Sequence, residues 1–172
     1  MKEVIENNVI FIKKTEERDL PYILTTESHH DNMPYIINWT LEEHEKAIRS
    51  DTNLLHLIVI EKKENKPVGY LLINGLNNPN QSIELKRTAF SAKGKGYGRN
   101  MLKLMKEWVF TEKGANRFWL DVVDHNTRAK TLYESEGFVV EGLQREAVII
   151  NEQFKSIYLM SMLKKDYLKT LE

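Results

Sequence analysis

The chain has 172 residues, a length that suits one domain with a sizeable hydrophobic core. Hydrophobic residues make up 41% and charged residues 29%, and 25 basic side chains match 25 acidic ones. Zero formal charge gives no global attraction for nucleic acid or an anionic membrane, so any anion site must be local. The absence of cysteine excludes disulfides, thiolate metal sites and cysteine nucleophiles, and fits a reducing compartment. The first residues lack an apolar stretch of signal-peptide length, and the longest apolar runs, such as "LIVI" at 57–60, are strand-sized. A cytoplasmic protein with no membrane span is expected.

In chain order, Val9 to Ile12 is an apolar, β-branched run that predicts a first strand. A helix is expected after Thr15 as its cap, with Leu20, Ile23 and Leu24 at helical spacing. Residues 29–39 are irregular and aromatic. Thr40 with Glu43 forms a capping box that starts the next helix. Three strands follow, at 54–62, 68–75 and 82–90, with turns at "KENKP" and "NNPNQ". In the third, Glu84, Lys86 and Thr88 fall on one face by simple alternation. The apolar pattern nonetheless slips between Leu85 and Ala89–Phe90, as at a β-bulge or in a half-exposed strand. "FSAKGKGYGRN" (90–100) leads into a helix with apolar residues at 101, 102, 104, 105, 108 and 109. A strand (116–123), a short helix (126–137) and a final pair of strands turning at 151–153 complete the chain. The tail is expected to form a turn or two of helix. With no repeat and no long linker, residues 1–172 read as one mixed α/β domain, an antiparallel meander followed by a strand–helix–strand unit.

The loop of residues 90–100 has two readings. Gly94, Gly96 and Gly98 let backbone amides at a helix start approach an anion, and Lys93, Lys95 and Arg99 add charge. The same loop can equally be a turn with a solvated basic face. It is not a P-loop, because no Ser or Thr follows a lysine at that spacing. It is not a dinucleotide fingerprint, because Arg99 stands where the third glycine belongs.

Lys93-Gly94-Lys95-Gly96-Tyr97-Gly98 resembles the acyl-CoA signature Q/R-x-x-G-x-G/A of the GNAT N-acetyltransferase family, with lysine at the first position. "NTRAKTLYESEGF" resembles the family's N-x-x-A-x-x-L-Y-x-x-x-G-F, through Asn126, Ala129, Leu132, Tyr133, Gly137 and Phe138. The closing segment is similar to the branch with ribosomal-protein N-terminal and spermidine acetyltransferases. The resemblance implies a GNAT-like domain: a mixed central sheet with an N-terminal meander, a splayed parallel strand pair holding CoA, and a C-terminal β-hairpin. Acetyl-CoA is then the co-substrate. Amides from Lys93 to Arg99, Tyr97 included, would hold its pyrophosphate. Thr88, Ala89 and Phe90 would meet the pantetheine, with the suspected bulge at this place. Asn126, Arg128 and Ala129 would add contacts, although Asn126 can equally be a helix cap and Arg128 an exposed cation.

Acetyl transfer to an amine requires a neutral amine, a donor for the oxyanion and a proton for the leaving thiolate. The resemblance implies Tyr133 as that acid and Glu84 as the base; a packed aromatic and a solvated glutamate are the plain alternatives. Glu27, His30, Asp31 and Tyr35 are expected to wall the acceptor site, where acids would attract a cationic amine and Tyr35 or Trp39 would stack on it. Surface acids and a core tryptophan explain the same residues without function. The acceptor is expected to be a polyamine, another small amine or a protein N-terminus, without a metal. A homodimer through the apolar C-terminal strands is also expected. Two further readings stay open at this level: a non-catalytic acyl-CoA sensor and a nucleotide-binding regulator.

Overall fold

The computed structural model describes residues 4–50 and 52–172. Among them a single eight-stranded sheet runs through the molecule in the order β1-β2-β3-β4-β5-β6-β8-β7. Strands β1 (Val4–Glu6), β2 (Ile10–Lys14), β3 (Leu54–Glu61), β4 (Lys66–Asn74) and β5 (Ser82–Phe90) form the expected antiparallel meander. β6 (Arg117–Val123) lies parallel to β5, and the hairpin of β7 (Val139–Ile150) and β8 (Gln153–Leu163) closes the other side. Helices α1 (Leu20–Glu27) and α2 (Leu41–Ser50) separate β2 from β3. α3 (Tyr97–Glu107) runs on into a π-helical turn at Trp108–Glu112, α4 (Thr127–Ser135) follows β6, and α5 (Lys164–Lys169) ends the fold.

Alternation along the strands sorts side chains into two cores. Leu55, Leu57 and Val59 of β3 face α3, joining Met101, Leu102, Met105 and Trp108 with Phe118, Leu120 and Val122 of β6. Leu54 of β3, with Tyr70 and Leu72 of β4, faces the opposite way and packs on Leu20 and Ile23 of α1 and Ala47 of α2. Helices thus cover both faces of the meander, and residues 54–60 are all buried. Each apolar side chain buried in this way contributes about 1.5–3 kcal/mol.

Several local outcomes differ from the sequence pattern. β1 precedes the expected first strand. Its turn is set by Asn7, whose Oδ1 accepts the N–H groups of Val9 and Ile10 at 2.8 and 3.0 Å. Thr15 caps no helix; it is buried, and Glu16 with Asp19 forms the capping box instead. Thr40 and Glu43 do form theirs: the Glu43 carboxylate accepts the Thr40 N–H at 2.6 Å. β7 is a long strand with two breaks in its register against β8.

The bulge in β5 sits upstream of the expected place. Leu72 pairs with Arg87 and Ile73 with Leu85, so Lys86 is the extra residue. Leu85 therefore faces the α3 core while Ala89 faces the α1 core. Simple alternation fails across Lys86, and Glu84 and Thr88 do not share a face. A bulge bends its strand. β5 and β6 pair only at Ser82–Arg117, Ile83–Phe118 and Glu84–Trp119, then splay apart.

Candidate active site

The wedge between the splayed strands opens into a cleft of about 1010 Å³. Of the residues expected at a site, Glu84, Thr88, Ala89 and Phe90 line it from β5. The loop and start of α3 contribute Lys93 to Arg99, and α4 contributes Asn126, Arg128, Ala129 and Tyr133. His30, Asp31 and Tyr35 form part of the rim. Glu27 does not line the cleft; it is buried behind the wall, at 1% exposure.

The glycines shape the loop at the backbone level. Gly94 and Gly96 have φ of +74° and +78°, a region that L side chains rarely adopt. They turn the chain so that the first amides of α3, which lack intrahelical partners, face the cleft. Gly98 is constrained differently, by packing: a Cβ there would lie 3.2 Å from Leu132 Cδ2 and 3.6 Å from the Phe90 ring. A larger residue would push α3 away from α4.

Two cations converge beside this loop. Lys93 donates to Asn32 Oδ1, while Asn32 Nδ2 donates to the Phe90 carbonyl at 3.1 Å and the Thr26 carbonyl at 2.8 Å. Asn32, unnoticed in the sequence, thereby pins the loop and the end of β5 to the segment after α1. Burial, and then the nearby Arg128 charge, push the Lys93 ammonium below its ordinary pKa. Opposed cations of this kind are relieved by a bound anion. Arg99 is different: its guanidinium is engaged by the Glu136 carboxylate and by Ser135 Oγ, and Lys106 joins the same carboxylate at 2.8 Å. Its side chain is therefore already paired, although Arg99 lines the cleft.

Tyr133 is buried at 8% exposure with its ring edge-on to Phe138. Among the described residues its hydroxyl has no hydrogen-bond partner. Burial, and then the charge of Asp121, push that hydroxyl above its ordinary pKa of 10.0, so it keeps its proton at neutral pH. Asn126 caps α4, its Oδ1 accepting the Ala129 N–H at 3.2 Å.

Asp121 was not singled out by sequence. It stands on β6 between Leu120 and Val122, which face the α3 core, so alternation turns it to the cleft. An acid inside a central strand was the available signal. Water reaches Asp121 through the cleft mouth, yet protein atoms surround much of it. That burial, and then the neighbouring Glu84 charge, raise its pKa. Glu84 accepts a hydrogen bond from Asn74 Nδ2 at 2.9 Å.

Ile36, Ile37, Trp39, Val148 and Ile150 add apolar lining to the same cleft, and Arg87 adds a cation. The rings of Tyr35 and His125 meet there at 5.2 Å. Ligand atoms of His29, His30 and Asp31 lie within 4.8 Å of one another on the rim, and no fourth ligand joins them among the described residues.

Cleft, loop and strand order together agree with comparison to known proteins. Residues 15–138 match the model of the acetyltransferase (GNAT) family, so the chain belongs to that family and is an N-acetyltransferase with acetyl-CoA as co-substrate. The spermidine N(1)-acetyltransferase of Vibrio cholerae is 24% identical over 96% of this chain and 99% of its own length. The structure of the V. cholerae spermidine N-acetyltransferase in complex with CoA and spermine superposes with a TM-score of 0.83 at 24% identity, covering 94% of this chain and 99% of that one. The ribosomal-protein-S5-alanine acetyltransferase of Vibrio fischeri shares the fold at TM-score 0.80 and 17% identity, over 95% and 98% of the two chains.

Proposed function

We propose that residues 1–172 form one N-acetyltransferase domain that moves the acetyl group of acetyl-CoA to a primary amine by direct attack in a ternary complex. The observation that carries this reading is the juxtaposition in one wedge of a protonated, unpartnered Tyr133 hydroxyl with the carboxylates Glu84 and Asp121. The loop amides, Lys93 and Arg128 hold the pyrophosphate. The exposed edge of β5 beyond Glu84 receives the pantetheine. The carboxylate pair takes the proton from the incoming ammonium, and the raised pKa of Asp121 brings it nearer that of an amine base's partner at neutral pH. The amine nitrogen then bonds the acetyl carbon, the C–S bond breaks as Tyr133 gives its proton to the sulfur, and the proton that the nitrogen sheds on becoming an amide returns through water to Tyr133.

A polyamine or other small amine is the acceptor favoured by the V. cholerae relative. A protein N-terminus is the second reading, favoured by the apolar lining residues Ile36, Ile37, Val148 and Ile150, which suit a peptide side chain. Pairing of two copies through the exposed Val139, Leu143, Ile149 and Phe154 of the β7–β8 hairpin is part of the same reading. The test is acetyl-CoA turnover, read as free thiol, with spermidine, simple alkylamines and an alanine-terminated peptide. Turnover with at least one of them is expected; tight CoA binding without turnover of any would overturn the reading.

A further inference from the structure

Behind the acceptor half of the cleft lies a buried charged network that the acetyl transfer itself does not use. At its centre is Glu27, the last residue of α1. Its Oε2 accepts the Trp39 backbone N–H at 3.0 Å. Its Oε1 accepts Arg87 Nη1 at 2.9 Å and the Tyr70 hydroxyl. His44 Nε2 stands 3.5 Å from the same oxygen, an electrostatic contact too long for a good hydrogen bond. Further back, His44 Nδ1 meets His56 Nε2 at 2.9 Å, and His56 Nδ1 meets Thr15 Oγ1 at 2.9 Å. Thr15, His44, His56 and Tyr70 are all buried.

The network reaches the cleft through Trp39 and Arg87. The guanidinium carbon of Arg87 lies 4.9 Å from the centre of the Trp39 ring. The β5 bulge makes this possible. With regular alternation Arg87 would share the face of Leu85 and point into the α3 core; the extra residue Lys86 turns it to the α1 face, where Glu27 waits.

Stability alone does not account for the arrangement. The desolvation of a buried ion pair offsets most of its attraction, and apolar residues of like volume hold a core at least as well. We propose that Glu27 is a positioning residue for the acceptor: it neutralises Arg87 and fixes it flat on Trp39, and this guanidinium–indole wall, not Glu27, is what the amine substrate meets. His56, His44 and Tyr70 hold the Glu27 carboxylate in place. The inference rests on the cleft being an amine acceptor site. It also replaces the sequence expectation that Glu27 attracts the amine directly: its charge is already matched by Arg87.

The test is a double-mutant cycle with Glu27→Gln and Arg87→Met, assayed with spermidine and with an alanine-terminated peptide. Gln keeps an acceptor oxygen for the Trp39 N–H and turns its NH2 to the Tyr70 hydroxyl, which can accept, and Met keeps the stem packed on Trp39, so the variants are expected to fold, as circular dichroism will check. Glu27→Gln should raise KM for the amine about tenfold, the scale of a lost charge–aromatic contact, with KM for acetyl-CoA within about twofold. In the Arg87→Met background the same change should have no further effect. Equal losses from Glu27→Gln in both backgrounds, or equal rises in the two KM values, would show a merely structural role and overturn the proposal. Should Glu27→Gln alone fail to fold, the Glu27→Gln/Arg87→Met protein decides: an amine KM like that of Arg87→Met supports the proposal, and a wild-type value overturns it. No turnover of either amine by the wild type would remove the function and this inference together, whereas turnover with an additive cycle removes this inference alone.

Discussion

Tyr133 combines two properties seldom found together: a ring packed in the core and a hydroxyl left without a protein partner in the described structure. A buried phenol ordinarily finds a hydrogen bond. Its hydroxyl instead lines the cleft, where a leaving thiolate would supply the partner. General acid catalysis is worth about 10²–10⁴-fold, so Tyr133→Phe should lower kcat by that order. Calorimetric titration should find acetyl-CoA affinity within about twofold of wild type, since the ring is retained. A kcat near the wild-type value would assign Tyr133 to packing alone. Asp121 and Glu84 belong to the same scale. Each acid alone would be unremarked on a surface; here both line the wedge, and burial, then the Glu84 charge, raise the pKa of Asp121.

At the level of the element, the loop entering α3 is the proposed cofactor cradle. Its glycines have separate causes. Gly94 and Gly96 are needed for their positive φ, Gly98 for the close approach of Leu132 and Phe90. At Gly96 a Cβ meets nothing closer than Asn100 Nδ2 at 3.8 Å, so a substitution there is free of clashes and strained only in the backbone. Gly96→Val should therefore leave a folded protein, at a cost of about 1–2 kcal/mol for the left-handed conformation. Its acetyl-CoA affinity should fall at least tenfold, because the strained turn re-aims the amides. Circular dichroism and a binding titration check both halves; unchanged affinity would reduce the loop to a turn. Much of this was legible in advance, since glycine spacing and the α4 motif are local signals. The role of Arg99 was not. A guanidinium three residues past Gly96 looks free in sequence, and only the packing of α3 on α4 brings Glu136 to it.

For the whole molecule, the Thr15–His56–His44–Glu27 chain ties stability to pH. Burial, and then the neighbouring His44 charge, lower the His56 pKa from 6.5 to about 3. The unfolded chain therefore binds a proton at His56 that the folded protein refuses. Stability should fall by about 1.4 kcal/mol per pH unit below pH 6.5. Glu27 acts lower. Burial opposes its charge, but His44, Tyr70, Arg87 and Trp39 together hold its pKa at about 2, below the ordinary 4.5. Its contribution is complete above pH 4.5 and is lost as pH falls toward 2. A melting series from pH 7 to pH 4.5 should thus show a steady fall in Tm, about 2–4 °C for each kcal/mol lost in a protein of this size. His56→Asn should flatten that slope even if it lowers Tm throughout; an unchanged slope would place the pH dependence elsewhere.

The amino-acid order alone determined the meander, the glycine loop, the amphipathic α3 and the motif around Tyr133. Each rests on periodicity, turn chemistry or spacing within one short segment, where neighbours in sequence are neighbours in space. Tertiary structure decided what depends on distant strands and helices meeting: the bulge at Lys86, the Glu84–Asp121 pair across the wedge, and the burial of Glu27 behind Arg87 and Trp39. Glu27 makes the reason plain. Its charge reads the same in sequence whether it faces a substrate or a guanidinium, and Arg87, sixty positions away, settles which.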